Sequence, residues 1–277
     1  MIKTIQSKKI IIFGDSFADP THAHHIEPAY APCTNVTTWY DSLGSDYDIT
    51  NHALSGTGPH YSFKEYYNFI RSKEKKEDYI IIFLLSKASR IHFHNMGPED
   101  MNHIRWDFDK KKSWWVEGDI STGTKQEAYY KFYRNEIDFF FLTMQDELKW
   151  SNFKNLGFLY MNSLLLNMKT IVFNAFGIKG LNKGLNIAKL NNPNFYLHPV
   201  ELGKIAQEEF IDRVLDGGYD FTDNRRNHFS QENHTILYEN IKKFINNDYN
   251  PLPFTKDIDY SYNLGRVRMQ ENLFTND

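Results

Sequence analysis

Short runs of consecutive apolar residues alternate along the chain with stretches in which apolar residues recur every three or four positions. Lys9–Phe13, Tyr79–Leu85 and Thr170–Ala175 have the length and β-branched content of strands buried on both faces, as in a parallel sheet. Tyr47–Asn51 reads as a weaker second strand and Phe195–Leu197 as a short fifth. Thr37–Leu43 reads as a short helix with Trp39 and Leu43 on one face, and another helix ends at the mixed-charge run Lys73–Asp78. From Glu127 to Lys149, Tyr130, Tyr133, Ile137, Phe141, Met144 and Leu148 form one apolar stripe, which predicts a helix packed on the core. A second helix is expected around Asn152–Asn167, carrying Leu156, Leu159, Tyr160 and Leu166. Ser230 is placed to cap a C-terminal helix, with Glu232 in its first turn and Leu237, Ile241 and Phe244 on its buried face. Strand and helix in alternation predict one doubly wound parallel sheet.

Three stretches escape this pattern. Ile91 to Gln126 is a long, weakly periodic insertion that includes His92, His94, Trp106, Trp114 and Trp115. It follows a central strand, so it is expected over that strand's carboxyl end. Its tryptophans are candidates either to stack on sugar rings or to anchor the insertion to the domain. Gly177 to Asn192 reads as a loop. The tail, 247–277, is an arm across the domain or a neighbouring subunit, or a fraying end.

Composition narrows the field. A formal net charge of -3 gives no electrostatic case for nucleic acid or an anionic membrane surface. No stretch approaches the roughly 20 apolar residues of a membrane span, and the first strand begins too early to leave room for a secretion signal. With Cys33 as the only cysteine, no intrachain disulfide can form, and a cytoplasmic location is the expectation. His22, His24 and His25 are close enough to suggest a metal, but no second ligand pair accompanies them, so a surface loop is preferred. Neither metal nor cofactor is expected.

Candidate chemistry begins where the first strand ends. Gly14 and Asp15 lead to Ser16, at the sheet edge where open α/β folds bind ligands. A glycine there permits a sharp turn. The serine is then either a helix cap or a nucleophile, if a base reaches it. Gly14-Asp15-Ser16-Phe17-Ala18-Asp19 resembles the first block of the GDSL/SGNH hydrolase superfamily. That resemblance implies that Ser16 attacks esters and that its own N–H lies in the oxyanion hole. Ser55-Gly56-Thr57-Gly58, after the second strand, is similar to the family's second block, with Gly56 supplying a further oxyanion N–H. The third block, Gly-x-Asn-Asp in the family, is missing; Ser86-Lys87-Ala88-Ser89-Arg90 stands in its place. Ser86, Ser89 and Arg90 are the candidates for the lost donor, and Arg90 also for an anionic substrate group.

His228-Phe229-Ser230, followed by Asn233 and His234, resembles the family's fifth block, which makes His228 the base. The family's acid falls at Arg225 here, and arginine cannot orient an imidazolium. Asp223 is the substitute, unless the site is a Ser–His dyad completed by a backbone carbonyl. His234 is the rival histidine and is expected to pack against its own helix.

The resemblance therefore implies a three-layer α/β/α sandwich with a mainly parallel five-stranded sheet, flavodoxin-like and of SGNH-hydrolase type. The domain spans 1–246, with its insertion at about 91–126. The implied activity is removal of a short acyl group from a carbohydrate or other small ester, without nucleic-acid or membrane partners. A non-catalytic glycan-binding protein and an O-acyltransferase on the same fold remain as alternatives.

Overall fold

Pleating sends Ile10 and Ile12 to one face of the first strand and Ile11 and Phe13 to the other, and both faces are buried. In a computed structural model, residues 8–20, 37–55, 57–86, 104–107, 111–115, 130–175, 192–203, 205, 229 and 231–254 are described. They form strands β1 (Lys9–Phe13), β2 (Asp48–Asn51), β3 (Tyr79–Leu85), β4 (Ile104–Asp107), β5 (Lys112–Trp115), β6 (Lys169–Asn174) and β7 (Phe195–Glu201). The helices are α1 (Trp39–Asp46), α2 (Pro59–Arg71), α3 (Arg134–Leu165) and α4 (Gln231–Ile245).

Five strands make one sheet in the order β2-β1-β3-β6-β7, with every neighbouring pair parallel. Ile10, Ile12, Ile80, Ile82, Leu84, Ile171 and Phe173 face a core shared with α1 and α4. Ile11, Phe13, Ile81, Phe83, Leu85 and Val172 face a second core shared with α2 and α3. The molecule is thus a three-layer α/β/α sandwich with flavodoxin-like strand order. β1 lies between β2 and β3, and the helix that follows β1 covers one face while those that follow β2 and β3 cover the other. The order reverses beside β1, which opens a crevice at the carboxyl ends of β1 and β3.

The helical region after the insertion differs from the expected pair. A single helix, α3, runs for 32 residues with no break at 149–152. That is about 48 Å of helix against about 23 Å for the seven residues of β3. Leu156 and Leu159 pack on the sheet, so the amino-terminal half projects past it. Ile137 and Phe141 of the expected stripe are buried, whereas Tyr133 and Met144 are exposed.

The insertion has structure of its own, an antiparallel β4–β5 hairpin. Ser113 of β5 is fully buried and donates through N (2.7 Å) and Oγ (2.5 Å) to Asp138 Oδ1 of α3, with Tyr130 Oη 3.0 Å away. Beyond α4 the chain turns back onto the domain. Asn240 accepts from Leu252 N and donates to Leu252 O, and Phe254 is buried in the α1/α4 core.

Candidate active site

The turn after β1 is built for closeness. A Cβ on Gly14 would lie 2.8 Å from Leu84 Cβ of β3, well inside van der Waals contact. Its φ lies outside the left-handed region, so Gly14 is required for space rather than for the sharp turn its position suggests. The chain then forms one tight loop. Ala18 N and Asp19 N donate to Asp15 O at 3.0 and 3.2 Å, and Phe17 N donates to Asp15 Oδ1 at 3.3 Å. Ser16 sits in this loop, buried.

The loop's carbonyls are held by groups from three other elements or the loops beside them. Gly14 O accepts from Leu54 N (3.3 Å) and from Ser62 Oγ of α2 (3.2 Å). Phe17 O accepts from Trp39 Nε1 (2.9 Å) and Asp19 O from Tyr40 Oη (3.3 Å), both of α1. Ala18 O accepts from Asn51 Nδ2 of β2 (2.7 Å), and Asn51 Oδ1 in turn takes Ala53 N (2.9 Å). Asp19 Oδ2 accepts from Ser55 N at 2.6 Å, which ties the loop after β2 to the loop after β1. These ties hold the backbone on either side of Ser16.

Ser86 is the first residue after β3 and is buried. The β1–β3 register pairs Phe13 with Phe83, so Ser16 and Ser86 end adjacent strands at the same edge. Gly56, Ser89, Arg90, Asp223 and His228 lie outside the described residues, as do Arg225, Ser230 and the His22, His24 and His25 group. Phe229, next to His228 in the chain, is described. Its ring packs on Phe17, the neighbour of Ser16, with centroids 5.2 Å apart. The helix it leads into is docked beside the same turn. Gln231 Oε1 accepts from Thr37 N (2.8 Å) and Gln231 Nε2 donates to Thr37 O (3.1 Å), just before α1.

Two other histidines are held in structural roles. His234 is fully buried, edge-on to Phe229, and its Nδ1 accepts from Trp39 N at 3.4 Å. His198 of β7 lies among Phe173, Tyr196 and Phe254, and its Nδ1 accepts from Val200 N. Burial pushes the His198 pKa down to about 3, so the ring is neutral and poorly suited to accept a proton at neutral pH.

One buried polar residue at this edge escapes the sequence patterns. Asn174 ends β6 in register with Leu85, and its Oδ1 has no hydrogen-bond partner among the described residues. It is two strands from β1, about 10 Å by strand spacing. The signal for it in the sequence is a polar residue closing an otherwise apolar run, Thr170 to Ala175. Among the described residues, no His, Cys, Asp or Glu cluster could hold a metal ion, and no helix is long and apolar enough to cross a membrane.

The fold defines a doubly wound α/β protein with a serine at its topological switch point. Comparison with known proteins adds no family: no family model matches the chain, and no curated protein matches it.

Proposed function

We propose that the chain is a serine ester hydrolase of GDSL/SGNH type, acting on a short acyl ester of a carbohydrate or other small molecule. Ser16 Oγ attacks the ester carbonyl carbon and passes its proton to His228. The tetrahedral intermediate, its oxyanion held by the N–H groups of Ser16 and Gly56, collapses to acyl-serine and expels the alcohol, which takes that proton. Water activated by His228 then adds to the acyl-serine and releases the acid. Asp223 orients the imidazole.

The observation that carries this reading is the packing of Phe229 on Phe17. It brings the chain neighbour of the base beside the chain neighbour of the nucleophile, at the edge where such folds bind ligands. The test is hydrolysis of p-nitrophenyl acetate. Wild type should turn over, Ser16→Ala should lose roughly three or more orders of magnitude, and kcat/KM should rise with pH through about 6.5. Turnover that survives Ser16→Ala, or a flat profile from pH 5 to 8, removes Ser16 or His228 from the mechanism.

The missing third-block asparagine, in whose place Ser86-Lys87-Ala88-Ser89-Arg90 stands, favours a second reading. Loss of one oxyanion donor costs about 10²–10³ in rate, and a chain without a replacement would hold a glycan instead of cleaving it. Wild type that binds acetylated sugars and shows no serine-dependent turnover would establish that reading. Acyl-enzyme that forms but discharges faster to added sugar than to water would point to an acyltransferase.

A further inference from the structure

We propose that α3 is a self-association surface, on which a second copy of this chain docks its own α3 in the antiparallel direction. Glu136, Phe140, Thr143, Glu147, Trp150, Lys154, Gly157, Met161 and Leu164 are spaced alternately four and three residues apart. This is the period that keeps one seam of a helix facing a partner helix over many turns. All of these positions are exposed, on a helix whose opposite side carries the buried Ile137, Phe141, Leu156 and Leu159.

The seam carries Phe140 toward one end and Met161 and Leu164 at the other, with Trp150 between them, and further exposed apolar residues flank it. Trp150 is 61% exposed, Phe139 67% and Leu165 74%. Exposed apolar residues on a helix call for cover, and among the described residues only one side of α3 is buried. Gly157 is the second observation. Glycine costs about 1 kcal/mol in a helix interior, yet a Cβ there would meet nothing within 4 Å. Its smallness serves no contact among the described residues, and it opens a notch in the seam that a partner's large side chain can enter.

Charge selects the partner and its direction. Glu147 and Lys154 stand on either side of Trp150 and pair with each other in the isolated chain, both well exposed. A parallel pair of α3 helices would set Glu147 against Glu147 and Lys154 against Lys154. An antiparallel pair centred near Trp150 sets each Glu147 toward the other copy's Lys154 and the Phe140 end toward the Met161 and Leu164 end. The strip is self-complementary only in that direction, as a two-fold interface demands.

Sedimentation velocity across micromolar concentrations tests this, with circular dichroism and urea unfolding as controls for folding. Wild type should form a dimer, and Trp150→Glu should weaken it at least tenfold while leaving the helix signal unchanged. Glu147→Lys alone should also weaken the dimer, and Glu147→Lys with Lys154→Glu should restore it, because only the antiparallel pairing regains opposite charges. A wild type that stays monomeric overturns the proposal, as does a dimer indifferent to Trp150→Glu. A dimer weakened by Trp150→Glu but indifferent to both charge variants overturns the antiparallel docking. A monomer that instead co-floats with phosphatidylcholine vesicles, through Trp150, assigns the seam to lipid.

Discussion

A methyl group at Gly14 would have to share space with Leu84 of the neighbouring strand β3, whose Cβ would lie 2.8 Å from it. Gly14→Ala therefore forces one strand to shift. The expected cost is about 1–3 kcal/mol, read as a lower urea midpoint with an unchanged slope. If Ser16 acts as proposed, ester turnover should fall further than stability explains, since the displaced backbone carries Ser16. The sequence marks Gly14 clearly, as the glycine that ends an apolar run. Its reason was not legible there, because no local pattern says that Leu84 will be its neighbour. Asn174 shows the same limit: a polar residue at a strand end is visible, but its place beside the β3 terminus depends on strand order.

Strands were the most legible elements. β1 and β3 follow from their apolar runs alone, β2 starts one residue later than expected, and β6 is shifted by one residue at both ends. The helices were read less well. Apolar residues lie on every side of α3, so a single buried stripe loses its phase, and the polar Ser151-Asn152 step looks like a boundary. The hairpin was illegible for another reason: Ser113, its buried anchor, is polar and is satisfied by Asp138 and Tyr130 from outside the hairpin. Between β1 and β2 the contact that matters is made by Asn51, whose amide holds Ala18 O and Ala53 N together. Asn51→Ala removes both bonds and should cost about 1–3 kcal/mol. If the serine turn works as proposed, kcat should drop roughly tenfold or more in the same variant, with KM little changed; equal activity at the same protein concentration would show the tie to be structural only.

Stability of the whole molecule should carry the imprint of His198. Its folded pKa, about 3, lies below the ordinary value of 6.5. Between those values the unfolded chain binds a proton that the folded chain does not. Stability is therefore fully present above pH 6.5 and lost as pH falls toward 3, by up to about 1.4 kcal/mol per pH unit. His198→Leu should flatten that part of the profile in urea titrations run from pH 7 to 4. An equally steep wild type and variant would mean that the ring finds a partner when charged.

The ties around Ser16 come from residues 39 to 62, whereas Phe229 and Gln231 reach the same corner from much further along the chain. A nascent polypeptide still threaded through the ribosome would thus hold the ties from residues 39 to 62 before Phe229 and Gln231 are made. If Ser16 and His228 react as proposed, translation itself would keep the hydroxyl silent until α4 has emerged.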